Sequence, residues 1–519
     1  MVREIIFLHV GQCGNQLGHE FWSVAIKEQL NKKLNDKKEC LNRNIFLNDS
    51  MSSFFFEELN GKSDCSPKEN LKARAILIDT ETGVANEIMK SVISPYIDEN
   101  NIFTQQSGAG NNWSQGYMYY GKMYENIIDN IIRRNVEKCD SLQSFYITSS
   151  LGGGTGSGLG SYILEMLSDT FRQIKFSNCV FPSVCDDVIT SPYNSFFALT
   201  KIHEFSNCVL PVSNDALLNI LNSKKLREFD KNIKNNNINN INDKNVPIVK
   251  NDYSKMNNIV ANVILNLTSS MRFEGSLNVD INEICTNLIP YPFFNFLLSS
   301  LSPCIESESI RTFDHLFKNV LSHNNQMLIA NPKDGLSLSM AFLVRGNINI
   351  SDVTKNVLLI KNNLNILKYN KDATKIGICN VSPLNQPYSL LCLINSCEIR
   401  NTFLQILERF NKLFKRKAHL HHYLEYLSMD DILEFKEKIQ NLIFEYSYIQ
   451  KNLFCSPKFL NKKAINMLGY DICEQCDDNI TKNDNIDLDI TVCPYYLKSK
   501  MKKFDKTVNW FDFKNKPII

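Results

Sequence analysis

The stretch QSFYITSSLGGGTGSG, residues 143–158, decides the fold. Residues 143–150 are an apolar, β-prone run, and the next eight residues hold five glycines. Because glycine has no Cβ, several backbone N–H groups of such a loop can approach one anion. Apolar residues then recur every four positions from Leu159 to Phe171, which predicts a helix whose positive N-terminus faces the same anion. The stretch therefore predicts a phosphate-binding loop between a strand and a helix.

Two familiar phosphate motifs do not fit the glycine loop, residues 152–158. No Lys follows the glycines as a Walker loop requires, and no G-x-G-x-x-G register occurs in residues 152–163. A dinucleotide-dependent metabolic enzyme is therefore disfavoured. A flexible linker is the plain alternative, but a strand and a helix flank the loop as phosphate binding demands.

Three further apolar runs, residues 4–10, 73–79 and 207–212, alternate with helical patterns. This alternation favours parallel βαβ units, in which ligands bind at the carboxyl ends of the strands. We therefore expect an α/β fold with a parallel sheet, and a binding site at one edge of that sheet.

Two more loops and an acidic pair are expected at that edge. Residues 11–16 (GQCGNQ) follow the first strand, and residues 107–113 (SGAGNNW) offer further amides. Asp79 and Glu81 end another strand and are suited to hold Mg²⁺ through water, because magnesium binds one or two carboxylates together with phosphate oxygens. With the glycine loop, these elements predict a nucleoside triphosphate site.

The composition narrows the class of protein. There are 57 basic and 55 acidic side chains among 519 residues, a net charge of +2. Nucleic-acid-binding proteins and electrostatically held membrane proteins need a clustered excess of Lys and Arg, so we expect neither partner. No uninterrupted apolar stretch reaches the ~18 residues of a membrane span. Scattered cysteines, 16 in all, predict reduced thiols in the cytoplasm.

Composition and periodicity divide the chain into six segments. They are a nucleotide-binding domain (1–222, with a polar insertion at about 32–72), an Asn- and Lys-rich low-complexity insertion (223–252), a core helix (253–272), an intermediate α/β domain (273–402), two C-terminal helices (403–450, with helices over 403–427 and 430–448) and a divergent extension (451–519). The low-complexity insertion and part of the extension are expected to be disordered, because few of their residues can build a core.

Seven motifs, taken in order, resemble the tubulin family. They are GQCGNQLG (11–18), SGAGNNW (107–113), GGGTGSG (152–158), SPYNS (191–195), NLTSSMRFEGSLNVDINE (266–283), NLIPYP (287–292) and KRKAHLHHYL (415–424). Within the family, CDDVITSPYNS, MNNIVANVILNLTSS and KAHLHHYL are most similar to epsilon tubulin. The resemblance implies a three-layer GTP-binding domain with a parallel sheet, a long core helix, a second α/β domain and a C-terminal helical hairpin.

The same resemblance implies a function. A tubulin-like chain would bind GTP or GDP with Mg²⁺ and assemble longitudinally with other tubulin subunits and microtubules in the cytoplasm and cytoskeleton. Resemblance to epsilon tubulin implies a role in the centriole or basal body. A microtubule-wall tubulin of the alpha or beta type and an autonomous GTPase enzyme are the alternatives.

The resemblance also assigns roles to single residues. The phosphates are expected against the amides of Gly11, Gln12, Ala109, Gly110, Asn111, Gly153, Gly154, Thr155 and Gly156, with Asp79 and Glu81 at Mg²⁺. Cys13, Gln16 and Ser150 are further expected nucleotide-binding residues. Asn214 matches a position that reads the sugar and base, Tyr253 one that stacks on guanine, and Asn257 would face the base edge. Ser191 stands where wall tubulins carry a glutamate near the ribose, so Asp187 replaces that contact or it is lost.

Hydrolysis requires a group that orients the attacking water. In tubulins this group comes from the neighbouring subunit, and Glu283 matches the catalytic glutamate. Asp280, three residues earlier, can share its helix face. We expect both to act in trans on the nucleotide of a partner. An ordinary solvated helix face is the alternative.

Two other clusters are weaker. His419, His421 and His422 suggest a metal or anion site, but a structural or interface role is favoured because only the first and last share a helix face. Cys473 and Cys476 form one C-x-x-C pair, which alone is a weak indication of zinc.

Overall fold

The structure of this chain is a computed structural model. It describes residues 3–36, 49–57, 71–183, 186, 188–222, 253–273, 275–304, 313–367, 370 and 374–453. Asp187, the low-complexity insertion at 223–252 and the cysteines Cys473 and Cys476 lie outside the described residues.

The first sheet consists of six strands. They are Glu4–Val10 (β1), Ala75–Asp79 (β4), Ile102–Thr104 (β5), Leu142–Ser150 (β6), Ile174–Phe181 (β7) and Cys208–Ser213 (β8), while Phe55–Glu57 (β2) and Leu71–Ala73 (β3) form a separate antiparallel pair. All six are parallel, in the order β5-β4-β1-β6-β7-β8. Because helices cover parallel sheets on both faces, their strands read as continuous apolar runs. The expected parallel α/β fold is confirmed.

The strand expected at 73–79 is divided at Arg74. Strand β3 ends at Ala73 and β4 begins at Ala75. The Arg74 N–H donates to the carbonyl of Phe54 at 2.8 Å, and its guanidinium pairs with the buried Glu4 carboxylate at 3.0 Å. The chain therefore passes from one sheet to the other within a single apolar run.

Part of the polar stretch at 32–72 belongs to the core. The first helix, Gly11–Asp36, extends into it, and a short helix, Asp49–Ser52, precedes β2. Phe54 and Phe55 are buried. They pack against rings from β1 and the first helix, namely Phe7, Phe21 and Trp22. The surrounding polar residues conceal this aromatic pair in the sequence.

Helices connect the strands of both sheets. After the first two, their bounds are Gly83–Met89, Lys122–Glu137, Gly160–Thr170, Ser191–Phe205, 214–222, Tyr253–Leu267, Ser269–Arg272, Ile281–Leu288, Phe313–Val320, Ile350–Asn362, Arg400–Phe414, His421–Leu424 and Met429–Leu453. The helices that begin at Lys122 and Gly160 are each preceded by a π-helical turn, Gln115–Gly121 and Thr155–Leu159.

The core helix, Tyr253–Leu267, packs against the first helix. Its apolar side is buried as expected, through Met256, Ile259, Val260, Val263 and Leu267. The expected helix over 253–272 is nevertheless too long, because the chain turns at Thr268 and continues as the short helix Ser269–Arg272.

The second sheet is mixed and packs on the other side of the core helix. Its strands are Leu298–Ser302 (β9), Ser337–Arg345 (β10), Thr374–Cys379 (β11) and Ser389–Ser396 (β12), in the order β11-β10-β12-β9. Helices Phe313–Val320 and Ile350–Asn362 cover its outer face. The core helix therefore lies between two α/β layers.

A buried ion cluster connects these layers. Glu28 of the first helix accepts from Arg272 at 2.6 Å and from Arg345 of β10 at 3.1 Å. The two guanidinium groups hold the pKa of the Glu28 carboxyl below its usual value despite its burial. The cluster joins the first helix, the end of the core helix region and the second sheet.

The C-terminal helices differ from the expected pair. The first expected helix, 403–427, is Arg400–Phe414 followed by a turn and the short helix His421–Leu424. Lys417 and His419 in that turn have left-handed backbones, with φ of 51° and 56°. The second helix, Met429–Leu453, begins one residue before its expected start at 430.

Candidate nucleotide site

Sheet topology brings the expected phosphate loops together. The first helix follows β1 at Gly11, residues 80–82 follow β4, and the glycine loop follows β6. Residues 107–113, which we call the asparagine loop, come shortly after β5. Because parallel strands end at one edge, all four segments lie at the carboxyl edge of the sheet.

The backbones of these loops approach each other closely at two glycines. A Cβ on Gly11, whose φ is +75°, would lie 2.8 Å from the nitrogen of Gly156. A Cβ on Gly154 would lie 2.8 Å from both the Ala109 carbonyl oxygen and the Asn112 nitrogen. No side chain fits in either place, so glycine is required by the proximity of the loops.

Thr80 links the acidic end of β4 to the glycine loop and to the asparagine loop. Its hydroxyl lies 2.6 Å from the hydroxyl of Thr155, and its carbonyl accepts the N–H of Gly108 at 3.0 Å. Sequence reasoning did not single out Thr80, although its position directly after Asp79 was a signal for it. Ser150 lies beside the glycine loop, with its hydroxyl 3.1 Å from the position of a Cβ on Gly156.

The asparagine loop has an unusual backbone. Gly108, Gly110 and Asn111 have φ of +52°, +53° and +51°. Glycine adopts this region freely, and asparagine tolerates it better than most residues. The SGAGNN sequence is therefore suited to this turn, which lies against the glycine loop at Gly154.

Three side chains expected at the nucleotide, Gln12, Cys13 and Gln16, lie in the first turns of the first helix. Gln12 is exposed, and Cys13 and Gln16 are half-buried. Desolvation raises the pKa of the Cys13 thiol to about 11, so it stays neutral at physiological pH. A neutral thiol adds no repulsion toward a bound phosphate.

Asp79 and Glu81 form an acidic pair at the end of β4. Burial, with a smaller contribution from the Glu81 charge, raises the pKa of Asp79 to about 6 even though backbone N–H groups and Asn15 donate to its carboxylate. Glu81 is exposed, with one oxygen 3.1 Å from the position of a Cβ on Gly108. A divalent cation fits this pair chemically, because it would relieve the burial of negative charge.

The residues expected to contact the guanine base lie after β8 and at the start of the core helix. Asn214 directly follows β8, and Tyr253 begins the core helix with half of its surface exposed. The Ser254 hydroxyl donates to Glu20 at 3.1 Å, which places this helix start beside the first helix. Asn257 is half-buried. The structure thus brings Tyr253 and Asn257 close to the helix that begins at Gly11.

The ribose contact assigned to Asp187 cannot be described, because that residue lies outside the described part of the chain. Its neighbour Asp186 is exposed at the mouth of the glycine loop, with a carboxylate oxygen 3.1 Å from the position of a Cβ on Gly152. Ser191 is buried beside the same glycine.

Known proteins are similar in sequence to this chain over most of its length. The family model described as "Tubulin/FtsZ family, GTPase domain" matches residues 4–222, and that described as "Tubulin C-terminal domain" matches residues 292–408. The chain belongs to the tubulin family. It is 40% identical over 466 residues to the tubulin epsilon chain of Mus musculus, covering 85% of this chain and 95% of that protein.

Two further relatives set the scale of this similarity. The tubulin epsilon chain of Homo sapiens is 39% identical over 466 residues, covering 86% of this chain and 95% of the relative. The tubulin beta chain of Candida albicans is 30% identical over 462 residues, covering 87% and 95%. The expected resemblance to tubulins, and to epsilon tubulin among them, is confirmed.

Membership of the family establishes the general function. This tubulin is a GTP-binding cytoskeletal subunit, and its family implies guanine nucleotides as ligands and other tubulin subunits and microtubules as partners. In the described part of the chain, no helix combines the length and apolar character needed to cross a membrane.

The carboxylates expected to act in trans have different neighbours. Asp280 immediately precedes helix Ile281–Leu288 and pairs with Arg3. Glu283 lies in the first turn of that helix, is 42% exposed, and pairs with Lys375 of β11 at 2.5 Å. Because Asp280 lies outside the helix, the two side chains do not share a helix face in the expected way.

These two carboxylates lie at the opposite edge of the tubulin sheet from the phosphate loops. Arg3, the partner of Asp280, directly precedes β1, whereas Gly11 directly follows it. A strand rises ~3.3 Å per residue, so the seven residues of β1 span ~23 Å. Glu283 therefore belongs to a different surface from the nucleotide site of its own chain.

Asn194 is a site residue that sequence reasoning missed. It is fully buried in helix Ser191–Phe205, and its carboxamide contacts both phosphate loops. Its Nδ2 donates to the carbonyls of Asn111 at 2.8 Å and Gly152 at 2.9 Å, and its Oδ1 accepts the Trp113 N–H at 2.9 Å. The SPYNS motif was the only signal, and a motif does not reveal contacts.

The histidine cluster lies beside the asparagine loop. The Asn112 side chain donates to the carbonyl of His422 at 3.0 Å, and the rings of His419 and His422 are stacked at 6.4 Å. Within the described ranges, no group of three or more His, Cys, Asp or Glu side chains is arranged to hold a metal ion.

Proposed function

We infer that this chain binds GTP at the carboxyl edge of its six-stranded sheet and stacks longitudinally with other tubulins. The observation that supports this most directly is the separation of two surfaces. The phosphate loops meet at one end of β1, and Asp280 and Glu283 lie at the other end. Head-to-tail stacking of such subunits brings the second surface of one chain to the nucleotide of the next.

In this proposal the phosphates rest on the loop amides. Those of Gly11, Gln12, Ala109, Gly110, Asn111, Gly153, Gly154, Thr155 and Gly156 surround the anion, with Cys13, Gln16 and Ser150 at the margins. Asp79 and Glu81 hold a hydrated Mg²⁺, which neutralises charge on the phosphates when bound. The raised pKa of Asp79 supports a cation here, because a buried carboxylate gains most from a nearby positive charge.

Base recognition is proposed for Asn214, Tyr253 and Asn257. A carboxamide offers both a donor and an acceptor, which suits the edge of guanine. Tyr253 is exposed at the start of the core helix, where its ring can stack on the base. Support comes from the position of this helix start beside Glu20, one turn beyond Gln16.

Glu283 is proposed to orient the attacking water on the nucleotide of a partner, with Asp280 on the same surface of the chain. The exposed fraction of Glu283 supports action on another molecule. An autonomous GTPase is disfavoured because these carboxylates lie across the sheet from the loops. GTP turnover should therefore depend on assembly.

The similarity to epsilon chains supports a role in the centriole or basal body. It favours this role over that of an alpha- or beta-type subunit of the microtubule wall. This part of the proposal is tested by expressing the tagged full-length chain and locating it relative to a centriolar marker. Signal along the whole length of cytoplasmic microtubules would instead favour the wall alternative.

One experiment tests the biochemical proposal. The nucleotide released on denaturing the purified chain is identified, and GTP hydrolysis is measured across a range of protein concentrations with Mg²⁺ or with a chelator. We expect GTP or GDP to be released and the turnover per subunit to rise with concentration. Release of an adenine dinucleotide, or turnover per subunit that is independent of concentration, would contradict the proposal.

A further inference from the structure

Asn194 uses the complete hydrogen-bonding capacity of its side chain. A carboxamide has two donor hydrogens and an oxygen with two acceptor sites. The donors go to the carbonyls of Asn111 and Gly152, and the oxygen accepts the N–H of Trp113 and the hydroxyl of Tyr423, the last at 2.6 Å. All four partners are satisfied by a side chain with no exposed surface.

Tyr423 brings the C-terminal region into this network. It lies in the short helix His421–Leu424, is fully buried, and packs against Tyr193 and Phe197. Burial raises the pKa of its phenol well above the usual value, so the hydroxyl keeps the proton that it donates to Asn194. One carboxamide thus touches the asparagine loop, the glycine loop and a helix more than 200 residues away, since Tyr423 and Asn194 are 229 positions apart.

The carbonyls held by Asn194 belong to residues whose peptide orientation shapes the site. Asn111 has a left-handed backbone, and its carbonyl also accepts the Thr190 hydroxyl at 2.9 Å. Gly152 is the first residue of the glycine loop. A shift of the Asn194 carboxamide would therefore turn peptide groups in both loops together.

We propose that Asn194 is a positioning residue that couples the phosphate loops to the C-terminal helices through Tyr423. Nucleotide binding then orders the helices His421–Leu424 and Met429–Leu453, and contacts made by those helices change nucleotide affinity by the same factor, because coupling between two binding sites is reciprocal. This inference rests on the proposed location of GTP at these loops.

Two tyrosines provide a matched test. Tyr423→Phe removes the hydroxyl that reaches Asn194, together with its longer contact of 3.4 Å to the Thr190 carbonyl, and keeps the ring in place. Tyr193→Phe removes a hydroxyl on the same helix as Asn194 that donates to the Ala418 carbonyl at 2.9 Å in the same C-terminal turn. The control therefore loses a tyrosine hydroxyl that contacts the C-terminal region and leaves the Asn194 hydrogen bonds in place.

The full-length chain and both variants are stripped of nucleotide and titrated with GTP and with GDP. Loss of one neutral hydrogen bond is worth about a three- to tenfold change. We expect Tyr423→Phe to weaken nucleotide binding by that factor and Tyr193→Phe to change it less than about twofold. Urea unfolding of the nucleotide-free proteins shows whether the two variants are equally stable.

Hydrogen exchange supplies the readout that a purely structural role would not affect. In the wild type and in Tyr193→Phe, GTP should slow exchange in residues 421–453, and in Tyr423→Phe this protection should be lost. Unchanged affinity, or protection that persists in Tyr423→Phe, overturns the coupling. If the wild type binds no guanine nucleotide, the proposed function fails instead, so the two failures are distinguishable.

Asn194→Asp adds a second variant. The aspartate presents oxygen in place of both donors and would face the carbonyls of Asn111 and Gly152 with negative charge. We expect nucleotide affinity to fall by more than in Tyr423→Phe, because two carbonyls lose their donor. An affinity equal to that of the wild type would overturn the positioning role.

Discussion

The guanidinium of Arg3 pairs with the carboxylate of Asp280, which joins the start of the GTP-binding sheet to the helix that carries Glu283. At the other end of the same strand, Gly11 lies against Gly156 of the glycine loop. Strand β1 thus has the phosphate loops at one end and the acidic helix at the other. Its seven residues separate these two surfaces by ~23 Å within one chain.

Glu283→Gln should reduce assembly-dependent GTP turnover by about 10²-fold or more, the usual contribution of a group that activates water. Nucleotide binding by the variant itself should be unchanged, because Glu283 is distant from its own loops. The measurement is single-turnover hydrolysis in pelleted assemblies, with binding measured separately on the free chain.

Glu434→Gln is the matched control for this prediction. Glu434 is also a helical glutamate in an ion pair, with Lys438 at 3.1 Å, and its side chain is 65% exposed. The Glu434→Gln variant should hydrolyse GTP at the wild-type rate. Equal rates for Glu283→Gln and Glu434→Gln would rule out the trans-acting role.

Gly154→Ala should weaken nucleotide binding by separating the glycine and asparagine loops. The new Cβ would lie 2.8 Å from two backbone atoms, which cannot move aside as a flexible side chain can. Overpacking of this kind typically costs ~1–3 kcal/mol. Nucleotide titration and urea unfolding measure the two effects.

Gly83→Ala isolates the steric contribution. A Cβ on Gly83 meets nothing within 4 Å, and the residue begins a helix. This variant should bind nucleotide normally and be as stable as the wild type or up to ~1 kcal/mol more stable. If Gly154→Ala behaves like Gly83→Ala, the loops do not approach as described.

Asp79→Asn should change how the stability of the nucleotide-free protein depends on pH. Burial raises the pKa of Asp79 from 3.8 to about 6, so the folded state retains a proton that the unfolded state releases between those values. Stability from this group is full below pH ~4 and is lost as the pH rises through ~6. At pH ~7 the variant should be more stable by ~1–3 kcal/mol, yet bind Mg²⁺-GTP more weakly.

A second buried group acts in the opposite direction. Burial lowers the pKa of His9 from 6.5 to about 3, so its contribution to stability falls as the pH drops through that range. Subtracting urea unfolding curves of Asp79→Asn from those of the wild type removes the His9 effect, because both proteins contain it. A difference that stays constant from pH ~4 to pH ~7 would contradict the assigned pKa of Asp79.

Substitutions in the buried ion cluster should follow a definite order. Glu28→Gln leaves Arg272 and Arg345 buried without a counter-charge and should cost ~3–5 kcal/mol of unfolding free energy. Arg345→Met should cost less, because Glu28 still pairs with Arg272. Urea unfolding of both variants checks the order, and a larger loss for Arg345→Met would show that Glu28 is not the centre of the cluster.

Patterns among neighbouring residues were enough to predict most of the fold and which loops form the candidate site. Strands buried on both faces read as apolar runs, and the phosphate loops read as glycines between a strand and a helix, because these requirements act on neighbouring residues. The carboxyl-edge position of Gly11, Asp79 and the glycine loop followed from the parallel strands alone. The apolar pattern gave wrong element bounds at Arg74, where the chain passes from one sheet to the other, and at Thr268, where the core helix has ended and a short helix follows.

The sequence by itself determined that this protein is a tubulin-family chain with a phosphate-binding edge. Only the tertiary structure decided that Asp280 precedes the helix and pairs with Arg3 instead of sharing a helix face with Glu283, and that Tyr423 shares Asn194 with the phosphate loops. The physical reason is the separation along the chain of the residues that interact. Helix and loop formation depend on residues a few positions apart, whereas these contacts join groups far apart in the chain, and no spacing in the sequence encodes them.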